Sequence, residues 1–160
     1  NITLDKRPVI KAALDKAEQT GMPAAALELP DGTIVTGKTS SLLGASAALL
    51  LNALKKLGNI PDETPLISPA IIEPVQHLKL DHLGNSNPRL HTDEVLVALS
   101  ICAVSSDVAE HAMEQLDKLK GCEMHSTVML ANVDYTTLKR LGVRLSCEPK
   151  YQTKKLYHAK

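Results

Sequence analysis

Residues 25–37 read AALELPDGTIVTG, two short apolar runs on either side of a turn sequence. An Asp-Gly pair between such runs is the strongest short-range hairpin signal, because glycine supplies the left-handed backbone that a tight turn requires. We therefore predict two antiparallel strands, Ala25–Leu29 and Thr33–Gly37, joined by a turn at Asp31 and Gly32.

The residues from Gly32 to Thr39 also satisfy the P-loop pattern G-x-x-x-x-G-K-[ST]. In a P-loop the residues between the glycines curl so that backbone amides cradle phosphate. Here those residues are Thr-Ile-Val-Thr, and β-branched side chains favour an extended strand. We therefore interpret this run as part of the hairpin and not as a phosphate-binding loop.

A helix buried on nearly all sides is predicted from Thr39 to Gly58, because its apolar residues, which begin at Leu42, leave almost no polar face before Lys55 and Lys56. Its start combines the cation of Lys38 with the hydroxyls of Thr39, Ser40 and Ser41, and helix N-termini attract anions. These four residues are candidate anion ligands. The alternative is that Thr39 or Ser40 only caps the helix while Lys38 reaches solvent.

A second candidate segment is the polar loop from Asp81 to His91, which leads into a helix predicted from Thr92. Loops of this length inside compact domains are often functional. Its candidate ligand-binding residues are Asn85, Asn87, Arg89 and His91. An Arg offers a bidentate fork for phosphate or carboxylate, and a His titrates near neutral pH. The alternative is a turn held by its own side-chain hydrogen bonds.

The remaining pattern predicts an α/β domain with a mixed sheet covered by helices. The first of its further elements are an opening helix capped by Asp5 and stopped at Gly21, a short strand at Leu66–Ser68, and a helix that begins at Pro69 or Pro74. A helical hairpin follows, with one helix from Thr92 to about Val104 and the other from Asp107 to Gly121. The last element is a β-α-β unit, in which a helix at Asp134 joins the strands Met124–Leu130 and Val143–Glu148.

Metal and nucleophile patterns are incomplete. Cys122 and His125 stand three apart and His77 and His82 five apart, but no second pair completes a zinc set with recognisable spacing, so no metal is predicted. The sequence GASAA around Ser46 approaches a nucleophile elbow. It lies inside the predicted helix and not at a strand-to-helix turn, so we interpret Ser46 as a packing residue.

Composition excludes some classes of partner. The 160 residues include 18 Lys and Arg against 18 Asp and Glu, so no overall field attracts nucleic acid or an anionic membrane. The three aromatic residues, all Tyr, are too few for base-stacking platforms. No apolar run approaches the ~20 residues of a membrane span. Three widely spaced cysteines predict free thiols and a cytoplasmic location.

Five stretches resemble the bacterial uncharacterised protein family 0371. They are LPDGTIVTGKTSSLLGASAALLLNALK from Leu29, LISPAIIEPVQHLK from Leu66, LGNSNPRLHTDEVLVALSICA from Leu83, LKGCEMHSTVML from Leu119 and CEPKYQTKKLYH from Cys147. The resemblance implies that residues 1–160 are one domain, the C-terminal part of a longer protein.

The resemblance also implies a three-layer α/β/α sandwich, similar in topology to cytidine deaminase-like domains. The zinc pattern of the deaminases is absent, so their chemistry is not implied. No catalytic residue or cofactor carries over, and the sequence does not rank reaction types.

We expect this domain to form one wall of a site for an anionic, phosphorylated or nucleotide-like small molecule, completed by upstream domains of the same chain. The alternative is a non-catalytic structural or oligomerisation domain, in which the same segments only cap helices and contact neighbouring domains or a second copy of the chain.

Overall fold

The computed structural model describes residues 8–149, and within this range six α-helices accompany a four-stranded sheet. The helices are α1 (Pro8–Thr20), α2 (Ala45–Leu57), α3 (Pro69–His77), α4 (Thr92–Cys102), α5 (Asp107–Met113) and α6 (Asn132–Arg140). The strands are β1 (Ala24–Glu28), β2 (Ile34–Lys38), β3 (Glu123–Ser126) and β4 (Arg144–Cys147). A π-helical turn, Leu78–His82, follows α3, and a 3-10 turn, Leu116–Leu119, precedes β3. The predicted α/β class is confirmed.

The strands lie side by side in the order β2-β1-β3-β4. β1 pairs antiparallel with β2, so the hairpin prediction is confirmed. On its other side β1 pairs antiparallel with β3, whereas β3 and β4 run parallel and are connected through α6. Parallel neighbours require a crossover connection of this kind. The predicted β-α-β unit and mixed sheet are therefore confirmed.

The hairpin turns where its sequence predicts. Gly32 has a φ of +89°, a left-handed conformation that side chains disfavour. The carboxylate of Asp31 accepts a hydrogen bond from the amide of Thr33 at 2.9 Å, and this bond lowers the pKa of Asp31. The residues after the turn are extended strand, so the P-loop letters do not form a phosphate-binding loop here.

The two faces of the sheet carry cores of unequal size. Ala26 of β1 packs with Val9 and Ala13 of α1, which covers that face. Because side chains alternate along a strand, Ala25 and Leu27 point to the opposite face. There they join a larger cluster with residues of α2, α4, α5 and α6, and no described member of that cluster is aromatic. The sequence correctly predicted an aliphatic core.

α2 begins at Ala45, so the prediction of a helix start at Thr39 is wrong. The hydroxyl of Ser40 accepts hydrogen bonds from the amides two and three positions ahead, at 3.3 and 3.2 Å. Serine side chains that bond nearby amides in this way compete with helix formation. A parallel backbone bridge between Leu43 and Leu90 then holds the chain extended up to the start of α2.

Gly37 lies where α2 crosses β2. A Cβ atom built on Gly37 would lie 2.4 Å from the backbone nitrogen of Leu49 and 2.9 Å from the carbonyl oxygen of Ala45. Carbon atoms do not approach backbone atoms this closely, so only glycine lets the helix contact the strand here. The second glycine of the P-loop pattern therefore serves helix packing.

Residues 66–68 do not form the predicted strand. The two apolar residues of this segment are 6 % and 5 % exposed and pack into the larger core from an irregular backbone. Ser68 ends the segment, because its hydroxyl accepts a hydrogen bond from the amide of Ala70 at 3.1 Å and caps α3. Of the two starts left open, Pro69 is the observed one, and Pro74 lies inside the helix.

Two predicted elements are shorter than expected. β3 ends at Ser126 and not at Leu130, because the Ser126 hydroxyl donates to the carbonyl oxygen of Val128 at 2.6 Å and turns the chain. α5 ends at Met113, well before Gly121, and a 3-10 turn fills the interval.

Other expectations concern layers, termini and cysteines. The three-layer sandwich and the deaminase-like topology stay predictions, and Asp5, the expected cap of α1, lies outside the described residues. Cys102, Cys122 and Cys147 are free thiols. No helix within residues 8–149 has the length and apolar character needed to cross a bilayer.

Gly37→Ala should destabilise the protein strongly, because its methyl group would overlap the α2 backbone, which cannot move without displacing the core. We expect a loss of about 3 kcal/mol or more in the free energy of unfolding, measured by chemical denaturation. Gly44→Ala is the matched control, since its Cβ would meet only the carbonyl oxygen of Leu90 at 3.8 Å. A cost at Gly37 no larger than at Gly44 would contradict the packing argument.

Candidate functional site

The two segments that the sequence singled out run side by side. The amide of Gly44 donates to the carbonyl oxygen of Leu90 at 3.2 Å, and the amide of Leu90 donates to the carbonyl oxygen of Leu42 at 3.0 Å. The Nε of Arg89 donates to the carbonyl oxygen of Ser40 at 2.5 Å. Backbone pairing therefore places the polar loop beside the N-terminus of α2.

The first turn of α2 presents unpaired groups. Its N-cap residue is Gly44, which has no side chain to cap the helix. The amides of residues 45–47 make no hydrogen bond with any described residue, as is expected for the uncapped first turn of a helix. Ser46 is only 6 % exposed, and its hydroxyl likewise has no hydrogen-bond partner within residues 8–149. Ala45 and Ser46 line a cavity, so their amides and the Ser46 hydroxyl are available to a ligand.

A narrow cavity of about 20 Å³ opens at this helix start. Its walls come from the start of α2, the end of the polar loop, and the connection between β3 and α6. The polar residues that line it are Ser46, Asn87, Arg89, His91, Ser126 and Asp134. A volume of this size admits about one water-sized group. We refer to it below as the narrow cavity.

The carboxylate of Asp134 organises one wall of the narrow cavity. One of its oxygens accepts hydrogen bonds from the amide of Thr92 at 2.8 Å and from the Thr92 hydroxyl at 2.7 Å. The other lies 3.2 Å from Nδ1 of His91. Nε2 of His91 has no hydrogen-bond partner among the described residues, so this nitrogen is open to a ligand.

Asp134 and His91 form an ion pair. The hydrogen bond to Asp134 raises the pKa of His91 above its usual value, and burial opposes this only in part. Burial of Asp134 by itself favours the neutral acid, but the hydrogen bonds from His91 and Thr92 outweigh it and lower the pKa of Asp134. Both shifts favour the charged forms, imidazolium and carboxylate.

A wider polar cleft of about 300 Å³ shares Asn87 and His91 with the narrow cavity. Asn85 and Ser86 also line it, together with the buried Lys79 and the half-buried Glu94, whose Nζ and Oε1 atoms are 2.8 Å apart. The same carboxylate oxygen of Glu94 accepts a hydrogen bond from the amide of His91. His91 is the N-cap of α4, which begins at Thr92 as predicted. We refer to this space as the polar cleft.

The structure brings together Asn85, Asn87, Arg89 and His91 of the predicted ligand-binding set. It does not bring the other four residues, Lys38, Thr39, Ser40 and Ser41, to either space. Lys38 is the exposed last residue of β2, and Thr39 is fully buried. Ser40 forms the turn described above, and the Ser41 carbonyl oxygen accepts a hydrogen bond from Gln76. Since the helix starts six positions later than predicted, these residues precede it.

Sequence reasoning missed Ser46 and Asp134. Ser46 was placed inside a helix starting at Thr39, whereas it is the second residue of α2 and lies at the cavity. Asp134 was interpreted only as a helix start, and its contacts with His91 and Thr92 span 43 and 42 positions along the chain. The polar sequence around the Thr92 helix start was the only local signal for this site.

A larger surface cleft of about 460 Å³ lies elsewhere, beside Glu28 and Glu123. It contains none of the predicted site residues. Burial raises the pKa of the Cys122 thiol in its wall, which makes that thiol less reactive. No group of three or more His, Cys, Asp and Glu side chains within residues 8–149 is arranged to hold a metal ion. The narrow cavity and the polar cleft have the stronger chemical basis as a site.

The fold and the site define an α/β domain with a polar site at helix N-termini, and comparison with known proteins identifies its family. Residues 5–157 match the C-terminal domain of unknown function DUF1846. The chain belongs to this family.

Three bacterial relatives show the same relationship. The UPF0371 protein of Corynebacterium glutamicum is 54 % identical over 155 residues, which are 97 % of this chain and 31 % of the relative. The relative from Corynebacterium urealyticum is 56 % identical over 97 % of this chain and 31 % of its own length. The relative from Streptococcus sanguinis is 53 % identical over 98 % of this chain and 32 % of its own length. The chain thus spans about a third of the curated relatives that it matches.

Asp134→Asn should destabilise the protein most in the pH range in which both His91 and Asp134 are charged. Folding raises the pKa of His91, so its charged imidazolium stabilises the folded state fully below the unfolded-state pKa of about 6.5. This stabilisation is lost as the pH rises through the pKa of His91 in the folded state. Folding lowers the pKa of Asp134, so its carboxylate stabilises the folded state fully above the unfolded-state pKa of about 3.9. This stabilisation is lost as the pH falls through the pKa of Asp134 in the folded state. We expect a cost of about 1–3 kcal/mol between about pH 4 and 6.5, shrinking at higher pH, by denaturation at several pH values.

The same variant should return the His91 pKa towards about 6.5, measured by NMR titration of the imidazole. Asp15→Asn is the matched control, because Asp15 is exposed and forms an ion pair with Lys11 on α1. An unchanged His91 titration in Asp134→Asn would show that the pair does not form in solution.

Proposed function

We propose that this domain binds an anionic group of a small molecule at the start of α2. The observation that carries the proposal is the coincidence, at one cavity, of the unpaired amides of Ala45 and Ser46, the unpaired Ser46 hydroxyl and the open Nε2 of His91. Helix N-termini bind anions because their amides point outward and the helix dipole is positive there.

Local charge favours an anion although the whole chain is neutral. His91 and Asp134 neutralise one another when both are charged, and so do Lys79 and Glu94. The positive end of α2 then favours an anion in the narrow cavity, whose lining also includes Arg89. Asp134 does not oppose an anion strongly, because its two oxygens accept hydrogen bonds from Thr92 and His91.

The dimensions of the two spaces restrict how a ligand fits. The narrow cavity, at about 20 Å³, admits one oxygen of a phosphate or carboxylate and not a whole phosphate group. The polar cleft, at about 300 Å³, is large enough for the remainder of a small molecule. Asn85 and Asn87 would supply amide groups to a phosphorylated or nucleotide-like ligand, and His91 would contact both parts.

The domain forms one wall of this site, and upstream domains of the longer protein complete it. Its relatives are about three times as long, and the matched family model is a C-terminal domain. We treat residues 1–160 as a single domain of such a protein. The polar cleft is open on its outer side, where an upstream domain would close over the ligand.

Inorganic phosphate, sugar phosphates and nucleotides should be tested by thermal shift on the full-length protein. At a concentration 100 times Kd, a binding anion stabilises the folded state by about 2.7 kcal/mol, which raises Tm by several degrees. His91→Asn should reduce the shift, and His77→Asn, an exposed histidine on α3, should not. If no anion in the panel raises Tm at saturating concentration, the proposal is wrong.

A structural or oligomerisation role is the second candidate, favoured by an apolar surface on α4. Val97 and Ile101 are each 60 % exposed one turn apart, and Val104 just beyond the helix is 87 % exposed. Ile101→Lys should then change the assembly state seen by light scattering, whereas Lys118→Glu on the 3-10 turn should not. An unchanged mass with Ile101→Lys would remove the support for this candidate.

A further inference from the structure

The outer edge of β2 carries backbone groups that no described strand uses. β2 is an edge strand, because the sheet runs in the order β2-β1-β3-β4. In an antiparallel ladder every second residue bonds to the neighbouring strand, and the residues between direct their backbone groups away from it. The amide of Leu29 donates to the carbonyl oxygen of Thr33 at 2.8 Å, and the amide of Thr39 donates to the carbonyl oxygen of Pro23 at 3.0 Å. The odd-numbered residues of β2 therefore bond to β1, and the even-numbered ones face outward.

The outward-facing residues of β2 are Ile34, Thr36 and Lys38. Their amides, and the carbonyl oxygens of Ile34 and Lys38, make no hydrogen bond within residues 8–149. The carbonyl oxygen of Thr36 accepts a hydrogen bond from the side-chain amide of Asn52 on α2 at 2.9 Å, as expected for a group that faces away from β1. A row of unpaired backbone groups on an edge strand is a template for a further strand.

A groove of about 440 Å³ follows this edge. Its lining includes residues 33–36 of the hairpin, together with Lys16 from α1 and with Asn52 and Lys56 from α2. Because α1 and α2 cover opposite faces of the sheet, a space that both helices line must run along the edge. An extended segment of about four residues matches the stretch of β2 that the groove follows. We refer to this space as the edge groove.

The charges beside the edge groove favour an acidic occupant. Lys16 and Lys56 line it, and neither makes a salt bridge with a residue in the described part of the chain. Among the described lining residues only Asp62 is acidic. Since side chains alternate along a strand, an extended segment would present one side chain towards Lys16 and the next towards Lys56. Acidic residues an odd number of positions apart would therefore complement both lysines.

We propose that the edge groove binds an extended acidic segment from the part of the longer protein that precedes this domain, and that this segment adds a fifth strand beside β2. In strand addition, main-chain hydrogen bonds give affinity and alternate side chains give specificity. About two thirds of the Corynebacterium glutamicum relative lies outside the matched region, and the family model is a C-terminal domain. The edge groove shares no lining residue with the narrow cavity or the polar cleft, so this binding does not depend on the proposed anion site.

The preceding part of the protein joins the domain close to the start of this edge. Pro8, the first residue of α1, lines one cleft together with Leu29 and Pro30 at the turn of the hairpin. β2 begins at Ile34, just beyond that turn. α1 packs on the same sheet and contributes Lys16 to the edge groove. A segment of the preceding chain therefore reaches the edge of β2 over a short distance.

Hydrogen exchange on the full-length protein, resolved to single amides by mass spectrometry, tests whether the edge is occupied. With a strand added, the amides of Thr36 and Lys38 should exchange within about tenfold of the rates of Val35 and Gly37, which bond to β1, after correction for intrinsic rates. A free edge would give alternating rates, with Thr36 and Lys38 faster by on the order of 100-fold or more. Such alternation would overturn the proposal.

Reversing both charges tests whether the occupant is acidic. Lys16→Glu combined with Lys56→Glu should raise the exchange rates of Thr36 and Lys38 in the full-length protein by about tenfold or more, because attraction becomes repulsion. The circular dichroism spectrum should stay unchanged. Lys118→Glu, on the exposed side of the 3-10 turn and outside the edge groove, is the matched control and should not alter exchange. Equal rates in the double variant and the unaltered protein would contradict an acidic occupant.

Carbodiimide cross-linking of the full-length protein identifies the occupant, because this reagent joins a lysine amine directly to a carboxylate in contact with it. Peptide mass spectrometry should find Lys16 or Lys56 joined to an Asp or Glu that precedes this domain in the same chain. Mixing ordinary and ¹⁵N-labelled protein separates links within a chain from links between copies. Links between copies only, with the mass of a dimer in light scattering, would show that a second copy covers the edge. Links from these lysines to Asp62 alone would also overturn the proposal.

Discussion

The carboxylate of Asp134 is buried where the N-termini of α4 and α6 meet, and the geometry of the whole site depends on it. Burying a charge is unfavourable unless its hydrogen bonds are satisfied. Here Thr92 supplies two of them and His91 a third, while two helix dipoles favour a negative charge at this point. The result joins α6 to α4, orients the imidazole and fixes one wall of the narrow cavity.

The opposite wall of the narrow cavity is formed by the start of α2, whose position depends on the contact between α2 and β2. Gly37 lets the helix backbone approach the strand, and the small residues Ala45 and Ala47 keep the start of α2 buried. The Ser40 turn and the bridge to Leu90 then prevent the helix from starting earlier. An earlier start would have covered the amides of residues 45–47 with intrahelical bonds, so the late start is what leaves them unpaired.

The candidate site was only partly predictable, for reasons that differ from residue to residue. Asn85, Asn87, Arg89 and His91 were found because they are a polar run next to a helix start, which is a local pattern. Lys38 and Thr39 were grouped with them because the helix was expected to start six residues too early. For the same reason Ser46 was expected deep within that helix, whereas it is the second residue of α2. Asp134 carries no local sign of its partners, because its contacts join residues more than forty positions apart.

The sequence by itself determined the hairpin at Asp31 and Gly32, the β-α-β unit, the aliphatic core and the family, since these depend on turn chemistry, periodicity and residue identity. The tertiary structure alone decided where α2 begins, which polar residues share a cavity, and that Asp134 pairs with His91. The physical reason is that turns and periodicity act over a few neighbouring residues, whereas helix starts and buried ion pairs are set by contacts between distant segments.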